Sequence, residues 1–428
     1  MQTRSFPVLA AEDDPLVDAL GVGLDRDAAR VLAYLLLRAD RDDVSSAAPR
    51  VAVRIGTDLG ADPARDALAT LVERDLVTTT TVDDASPGRP PKRWECAVAR
   101  DVARTLVYEH HAAALLDRAR TVAAALGDDA AVEGTPRDGA GVRESAVALN
   151  WRPNGFHAPL FLAAERGLYR DADLAVSFTA ARGSGEALEW VRSGRCDVGI
   201  AGAATLCRAL AADAAVVPVA LLYQRTMTVL YTVRSVFDDP FTDLDQLAGR
   251  TVAMPSGSET AQLARLLLAQ AGVLDAVEIV DSDGEERSAL LDGTADVVTG
   301  MAADPPELEA DGYTVDTVAV ADRFPVPGPA LVARADRLAA DPAIVERFLV
   351  GTMHGLAVAT GSPADAARAV ARRSDSVVDA ERRRFEVARE REAAADTARA
   401  HGWGWQSVDR WERLLTALRQ ADAGSGRA

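Results

Sequence analysis

The feature that most constrains this chain is a change of hydrophobic period near Ser145. Beyond it, short runs with the character of buried strands alternate with helix-like segments. The strand-like runs are 146–149, 174–178, 197–200, 217–222, 227–233, 251–254 and 296–299. Between them, helical patterns at 159–166 and 186–193 stop at Gly167 and Gly194, and another covers 259–271. Repeated strand–helix units of this kind predict an α/β fold with mainly parallel sheets. With 428 residues the chain is too long for one ordinary core, so two or three domains are expected. A hydrophobic share of 48% with 26% charged residues fits globular domains rather than a disordered chain.

The segment 127–141 is rich in Gly, Asp and Pro and lacks apolar periodicity, which predicts a linker. Upstream of it the pattern is helices followed by a hairpin. Asp25 is placed to cap a helix whose stripe is Ala28, Val31, Leu32, Leu35 and Leu36. A shorter helix over 51–59 stops at Gly60. Asp62-Pro63 then starts a helix that turns Ala67, Leu68, Leu71 and Val72 inward, with Arg65, Asp66, Ala69, Thr70 and Glu73 on or near the other side. Residues 76–82 and 93–98 read as strands joined by the turn segment 83–92.

This order resembles a winged helix-turn-helix, particularly that of archaeal metabolite-responsive regulators. The matching residues are Leu24-Asp-Arg-Asp-Ala-Ala-Arg30, the helix pair within 55–76, and Gly88-Arg-Pro-Pro-Lys-Arg-Trp94. The resemblance implies that the helix over 62–74 enters the major groove of double-stranded operator DNA. Arg65 is its candidate for a bidentate contact to guanine, and Thr70 lies on the same side. Arg89, Lys92 and Arg93 on the wing would meet phosphate or the minor groove. A helix over 99–127 would connect the modules and pair with its twin in a homodimer. His110 and His111 are adjacent and lack metal-pair spacing, so both are expected at the surface.

Charge qualifies that reading. There are 65 acidic and 47 basic residues, a net charge of −18, and one lysine, Lys92. The balance resembles that of proteins from salt-in halophiles, in which multimolar salt screens carboxylate repulsion. Residues 50–97 hold seven basic and eight acidic side chains, near neutral against an acidic remainder. Cys96, Cys196 and Cys207 have neither metal spacing nor a disulfide pattern. No apolar run approaches the roughly 20 residues of a membrane span, and the first residues carry no long apolar stretch, so a cytoplasmic protein without a membrane partner is expected.

In the second module, Leu149-Asn-Trp-Arg-Pro-Asn-Gly-Phe-His-Ala-Pro-Leu-Phe-Leu-Ala163, Gly167-Leu-Tyr169, Ser193-Gly-Arg-Cys-Asp-Val-Gly199 and Leu247-Ala-Gly-Arg-Thr-Val-Ala253 stand out. They resemble the thiamine-pyrimidine-precursor family. That family joins yeast-type pyrimidine synthases with the binding proteins of pyrimidine and alkanesulfonate transporters. The resemblance, over about 146–370, implies a type II periplasmic-binding-protein fold of two α/β lobes. Lobe I is expected over about 146–230 and 330–422, and lobe II over about 234–325, after a linker at 128–145. The expected crossings are near 226–234 and 323–334.

Ligands of open α/β sheets sit beyond the carboxyl ends of the strands. That rule selects Asn150, Trp151, Asn154 and His157 after the first strand, then Arg182 and Ser184, Thr205, and Tyr223 near the hinge. It also selects the turn Ser256-Gly257-Ser258 with Thr260, a candidate anion cradle at a helix start. At positions where the synthases carry a cofactor-binding lysine, a histidine and a cysteine cluster, this chain has Ala201, Thr205 and the cysteine-free Phe324-Pro-Val-Pro-Gly-Pro-Ala330. A Schiff base has no lysine here, so no catalytic residue, metal or cofactor is assigned. The expectation is a one-component transcription regulator that senses a thiamine pyrimidine precursor, free or phosphorylated. The alternatives are the binding component of an ABC-type transporter for a pyrimidine or sulfonate, and a pyrimidine-precursor synthase.

Overall fold

A computed structural model describes residues 8–81, 92–126, 141–212, 215–237, 239–393 and 395–425. Among them are three sheets. In the N-terminal part, helices Asp14–Gly21 and Arg26–Ala39 precede the two-residue strand β1 (Ala48–Pro49). Helices Arg50–Thr57 and Ala61–Glu73 follow, then β2 (Val77–Thr81) and β3 (Lys92–Cys96). The strands pair antiparallel in the order β1-β3-β2. Asp25 caps the second helix by accepting the Ala28 N–H at 2.9 Å, and the stripe beyond it is buried. Lys92 and Arg93 begin β3, whereas Arg89 and most of the turn 83–92 lie outside the described residues.

Helix Arg100–Leu126 was expected to meet a twin. Within the chain it packs along helix Pro342–Gly361, the strand Val216–Leu221 and helix Val408–Ser425. Its buried face runs from Ala103 through Val107, Tyr108, Leu115 and Ala119 to Val122. Tyr108 donates to the Ala19 carbonyl at 2.5 Å and meets His354 edge to face at 4.7 Å. One of the two adjacent histidines departs from the surface reading. His111 is buried, its Nε2 lies 2.7 Å from the Trp403 carbonyl, and burial lowers its pKa to about 4. An apolar helix face fills whichever partner lies nearest, and sequence periodicity does not say which that is.

The first lobe contains β4 (Arg143–Leu149), β5 (Leu174–Ala180), β6 (Val198–Ala201), β7 (Val216–Leu221) and, after the excursion into the second lobe, β13 (Ala330–Arg334). Their order is β5-β4-β6-β13-β7. The second lobe contains β8 (Thr228–Val233), β9 (Thr251–Met254), β10 (Glu278–Asp281), β11 (Val297–Met301) and β12 (Val315–Ala319), ordered β10-β9-β11-β8-β12. β13 runs antiparallel to both neighbours, as does β8; the other pairs are parallel. A chain that leaves one sheet to enter another arrives reversed, so these are the crossing strands. β8 lies within the segment 226–234 where the first crossing is expected and pairs in the second sheet, although its first half falls in the span assigned to lobe I; β4 begins within the segment assigned to the linker. β7 and β8 are buried at every position.

The two crossing segments touch. Leu222 N–H donates to the Pro329 carbonyl at 2.8 Å and Thr226 N–H to the Val326 carbonyl at 3.3 Å. A Cβ on Gly328 would stand 2.1 Å from the Tyr223 carbonyl oxygen, so this approach requires glycine. Among the described residues, no helix is long and apolar enough to cross a membrane.

Candidate functional site

The loops that follow β4, β6, β9 and β11 lie at the carboxyl ends of parallel strands, the edge at which open α/β sheets bind ligands. One pair of these loops joins the lobes directly. Helix Ala203–Ala211 follows β6 in lobe I, and helix Glu259–Gln270 follows β9 in lobe II. The Glu259 carboxylate reaches across to accept the Ala204 N–H at 2.8 Å, the Thr205 N–H at 2.9 Å and the Thr205 hydroxyl at 2.7 Å. It thus occupies the N-terminus of the opposing helix, where free N–H groups and the helix dipole favour an anion. Gly202 leaves room for it: a Cβ there would lie 2.2 Å from the Glu259 Cδ. Burial nevertheless raises the pKa of this carboxyl, against the three hydrogen bonds that lower it.

The sequence-selected residues separate into several roles. Asn150 Oδ1 lies 3.0 Å from His157 Nε2, and His157 Nδ1 is buried without a partner. Burial lowers the His157 pKa to about 4, which keeps the imidazole neutral. Trp151 is 46% exposed, with the Arg152 guanidinium 5.6 Å from its ring. Asn154 closes its own turn, accepting the Phe156 N–H at 3.0 Å and donating to the Arg152 carbonyl. Arg182 is 91% exposed and faces Glu186, so it stands on the rim. Ser184 is buried, its Oγ accepting the Gly202 N–H at 2.9 Å. Tyr223 is buried too and donates to the Phe156 carbonyl at 2.8 Å, which ties the hinge to the first loop.

The candidate anion cradle has most of its donors engaged. Ser256 N–H donates to Asp281 at 3.1 Å, Ser258 N–H to the Pro255 carbonyl, and Ala261 N–H to Ser258 Oγ at 3.0 Å. Ser258 Oγ also lies 2.9 Å from Thr260 Oγ1, and Gly257 has φ +73° in the turn. Thr205, selected as a ligand contact, holds Glu259 and also accepts from Gln262 Nε2 at 3.2 Å.

Several groups around the cleft escaped sequence reasoning. Helix Val378–Ala393 lies beyond the stretch with family resemblance, yet it serves both lobes. Its Glu381 accepts the Gly155 N–H at 2.5 Å, and its Arg384 pairs with Glu381 and with Glu307 of lobe II, each at 2.7 Å. Glu392 accepts the Gln224 N–H at 2.6 Å. In lobe II, Asp304 accepts the Met301 N–H at 2.6 Å, and burial pushes its pKa up to about 6. Glu259 did carry a signal, since it follows the Ser-Gly-Ser turn at the start of a helix. Glu381 and Glu392 had none, because their partners are backbone groups distant in sequence.

On the proposed DNA face, Arg65 is held by Asp62 at 2.6 Å and Asp66 at 3.0 Å. Thr70 is half-buried on the same helix, and Lys92 and Arg93 stand at the start of β3.

Residues 154–366 match the family described as NMT1/THI5 like. The chain is 24% identical over 231 residues to the riboflavin-binding protein RibY of Chloroflexus aurantiacus, covering 53% of this chain and 65% of that protein. It is 24% identical over 185 residues to the formylaminopyrimidine-binding protein of Halalkalibacterium halodurans, 42% of this chain and 55% of the other. A 101-residue stretch is 30% identical to the 4-amino-5-hydroxymethyl-2-methylpyrimidine phosphate synthase THI11 of Saccharomyces cerevisiae, spanning 24% of this chain and 26% of the synthase. The match thus spans less than two thirds of each of these relatives. Among solved structures, the periplasmic aliphatic sulphonate binding protein SsuA of Escherichia coli superimposes with a TM-score of 0.52 at 14% identity. That match covers 66% of this chain and 88% of SsuA. At such identity the likeness is one of fold. The module before residue 127 lies outside the family match.

Proposed function

We propose that this chain, which carries an NMT1/THI5-like domain on a two-lobed periplasmic-binding-protein-like fold, binds a small pyrimidine-like molecule between its lobes and does not transform it. The observation that carries the proposal is the contact between the strand-end loops of the two lobes through Glu259 and Ala204/Thr205, with the Asn150–His157 pair and Trp151 on another strand-end loop of lobe I. An exposed indole beside a polar pair suits a flat ring with hydrogen-bonding edges. The names of the riboflavin- and formylaminopyrimidine-binding relatives support the same ligand class. A sulfonate is the competing class, supported by the fold alone. Binding without turnover is supported by Ala201, Thr205 and the cysteine-free stretch 324–330 at the positions where the synthases are reactive, and by the lone lysine, Lys92, lying on β3 of the N-terminal module. Native mass spectrometry of the purified protein tests the reading. A co-purifying heteroaromatic compound is expected, and a sulfonate or sugar in its place would refute the ligand class.

A second reading concerns the N-terminal module: binding of double-stranded DNA, with ligand binding as its control. It is supported by the helix pair Arg50–Thr57 and Ala61–Glu73 followed by a hairpin. Asp62, Asp66 and Glu73 share the exposed side of the second helix with Arg65, a face that repels phosphate unless salt screens it. Footprinting across the protein's own promoter, at several salt concentrations, decides it. Arg65→Ala should cost about 1–3 kcal/mol and relax one base position. No protected site at any salt would remove this reading and leave the first intact.

A further inference from the structure

The cleft has a consistent electrostatic pattern. At five places in the loops and turns around it, backbone N–H groups already donate to a carboxylate of this chain. Gly155 donates to Glu381, Ala204 and Thr205 to Glu259, Gln224 to Glu392, Ser256 to Asp281, and Met301 to Asp304. Three of these acids come from lobe II and two from helix Val378–Ala393, so no single turn accounts for them. Two nearby guanidinium groups are paired with acids as well: Arg384 with Glu381 and Glu307, and Arg225 with Asp322 at 2.8 Å. Arg152 and Arg182 stand at the exposed rim, where solvent and salt weaken an ion pair.

Glu259 is decisive because it crosses between lobes. A phosphate or sulfonate entering the N-terminus of helix Ala203–Ala211 would have to displace it, since two anions cannot share three donors. A displaced carboxylate would remain beside the incoming anion, tethered to the first turn of its own helix. A neutral or protonated amino-heteroaromatic ring meets no such conflict, and its N–H groups find acceptors in this acidic wall.

We propose that Glu259, supported by Asp281, fills the anion seats of the cleft with the chain's own carboxylates, so that the cleft selects neutral or cationic amino-heteroaromatic rings and rejects phosphate esters and sulfonates. This rests on the reading of the interlobe cleft as a small-molecule site, and it sets the charge of the ligand that site takes. It departs from the sequence expectation, which allowed a phosphorylated pyrimidine held by the Ser256–Thr260 turn.

The test uses the full chain and four probes at constant ionic strength: 4-amino-5-hydroxymethyl-2-methylpyrimidine, its phosphate ester, an alkanesulfonate and inorganic sulfate. Calorimetry on the wild type should give at least about ten-fold tighter binding for the free pyrimidine than for its phosphate. Glu259→Ala should close or reverse that ratio. Sulfate should raise the melting temperature of Glu259→Ala more than that of the wild type, because it enters the vacated seat. Glu259→Gln, which keeps a side chain of the same size without the charge, repeats the comparison should the alanine variant not fold. Equal or tighter wild-type binding of the phosphate or sulfonate would overturn the proposal, as would equal stabilisation of wild type and variants by sulfate. If no pyrimidine binds any form, the ligand class is wrong, and the sulfate comparison still decides whether Glu259 fills an anion seat.

Discussion

Glu392 places a carboxylate against the crossing segment. Its Oε2 accepts the Gln224 N–H, while its Oε1 is buried without a partner. Burial raises its pKa from 4.5 to about 7. Below pH 4.5 the folded and unfolded chains both hold the proton. Between 4.5 and 7 the unfolded chain releases it and the folded chain keeps it, so this group lowers stability as pH rises through that window. Glu392→Gln keeps an oxygen for Gln224 and removes the charge. Urea midpoints should therefore favour the variant above pH 7 and converge with the wild type as pH falls toward 4.5; a difference independent of pH would contradict the assignment. Residues such as this one were illegible in the sequence. A carboxylate that meets a backbone N–H 168 positions away leaves no local pattern, whereas Asp25 caps a helix three residues ahead and was visible at once.

At the scale of elements, helix Arg100–Leu126 shows what periodicity can and cannot give. The segment was recognisable as a helix, but its occupant was not. Leu115 is fully buried, and a Cβ on Gly404 would lie 3.1 Å from its Cδ1, so the helix and the 402–406 segment meet closely there. Leu115→Ala should cost about 2–5 kcal/mol through lost burial and the cavity left behind. Thermal unfolding at two protein concentrations checks the packing: the loss should be the same at both. A concentration-dependent loss would mean that the face meets a second copy. Most strands were legible for a simpler reason, since buried parallel strands read as short apolar runs between glycines. The crossing at β8 follows from the family resemblance rather than from its pattern, because a fully buried strand looks alike in either lobe and its pairing with β11 and β12 is what assigns it to a sheet. The candidate site was legible as a set of strand-end loops; which side chains face solvent, core or the opposite lobe was decided by packing.

Across the whole molecule, a short segment connects hinge and N-terminal module. Trp403 donates its N–H to the Val22 carbonyl at 2.9 Å and its Nε1–H to the Leu222 carbonyl at 3.0 Å, and Gln224 Nε2 donates to the Trp405 carbonyl at 2.9 Å. The same segment accepts from Arg118 on the connecting helix at 2.6 Å. A lobe movement that shifts Leu222 and Gln224 therefore displaces groups bonded to the first module, which is the physical contact that coupling between sites requires. Ligand should slow amide exchange around Val22 in the wild type, and Trp403→Ala should abolish that response while leaving slowed exchange at the cleft loops. An unchanged response at Val22 in the variant would show that the segment transmits nothing. All of this depends on a ligand entering between the lobes. The most direct measurement is a calorimetric titration of 4-amino-5-hydroxymethyl-2-methylpyrimidine into the wild type and Trp151→Ala. The account predicts saturable, stoichiometric binding, weakened in the variant by about 1–3 kcal/mol of lost stacking. Absence of binding to the wild type, or equal affinity in both proteins, would contradict it.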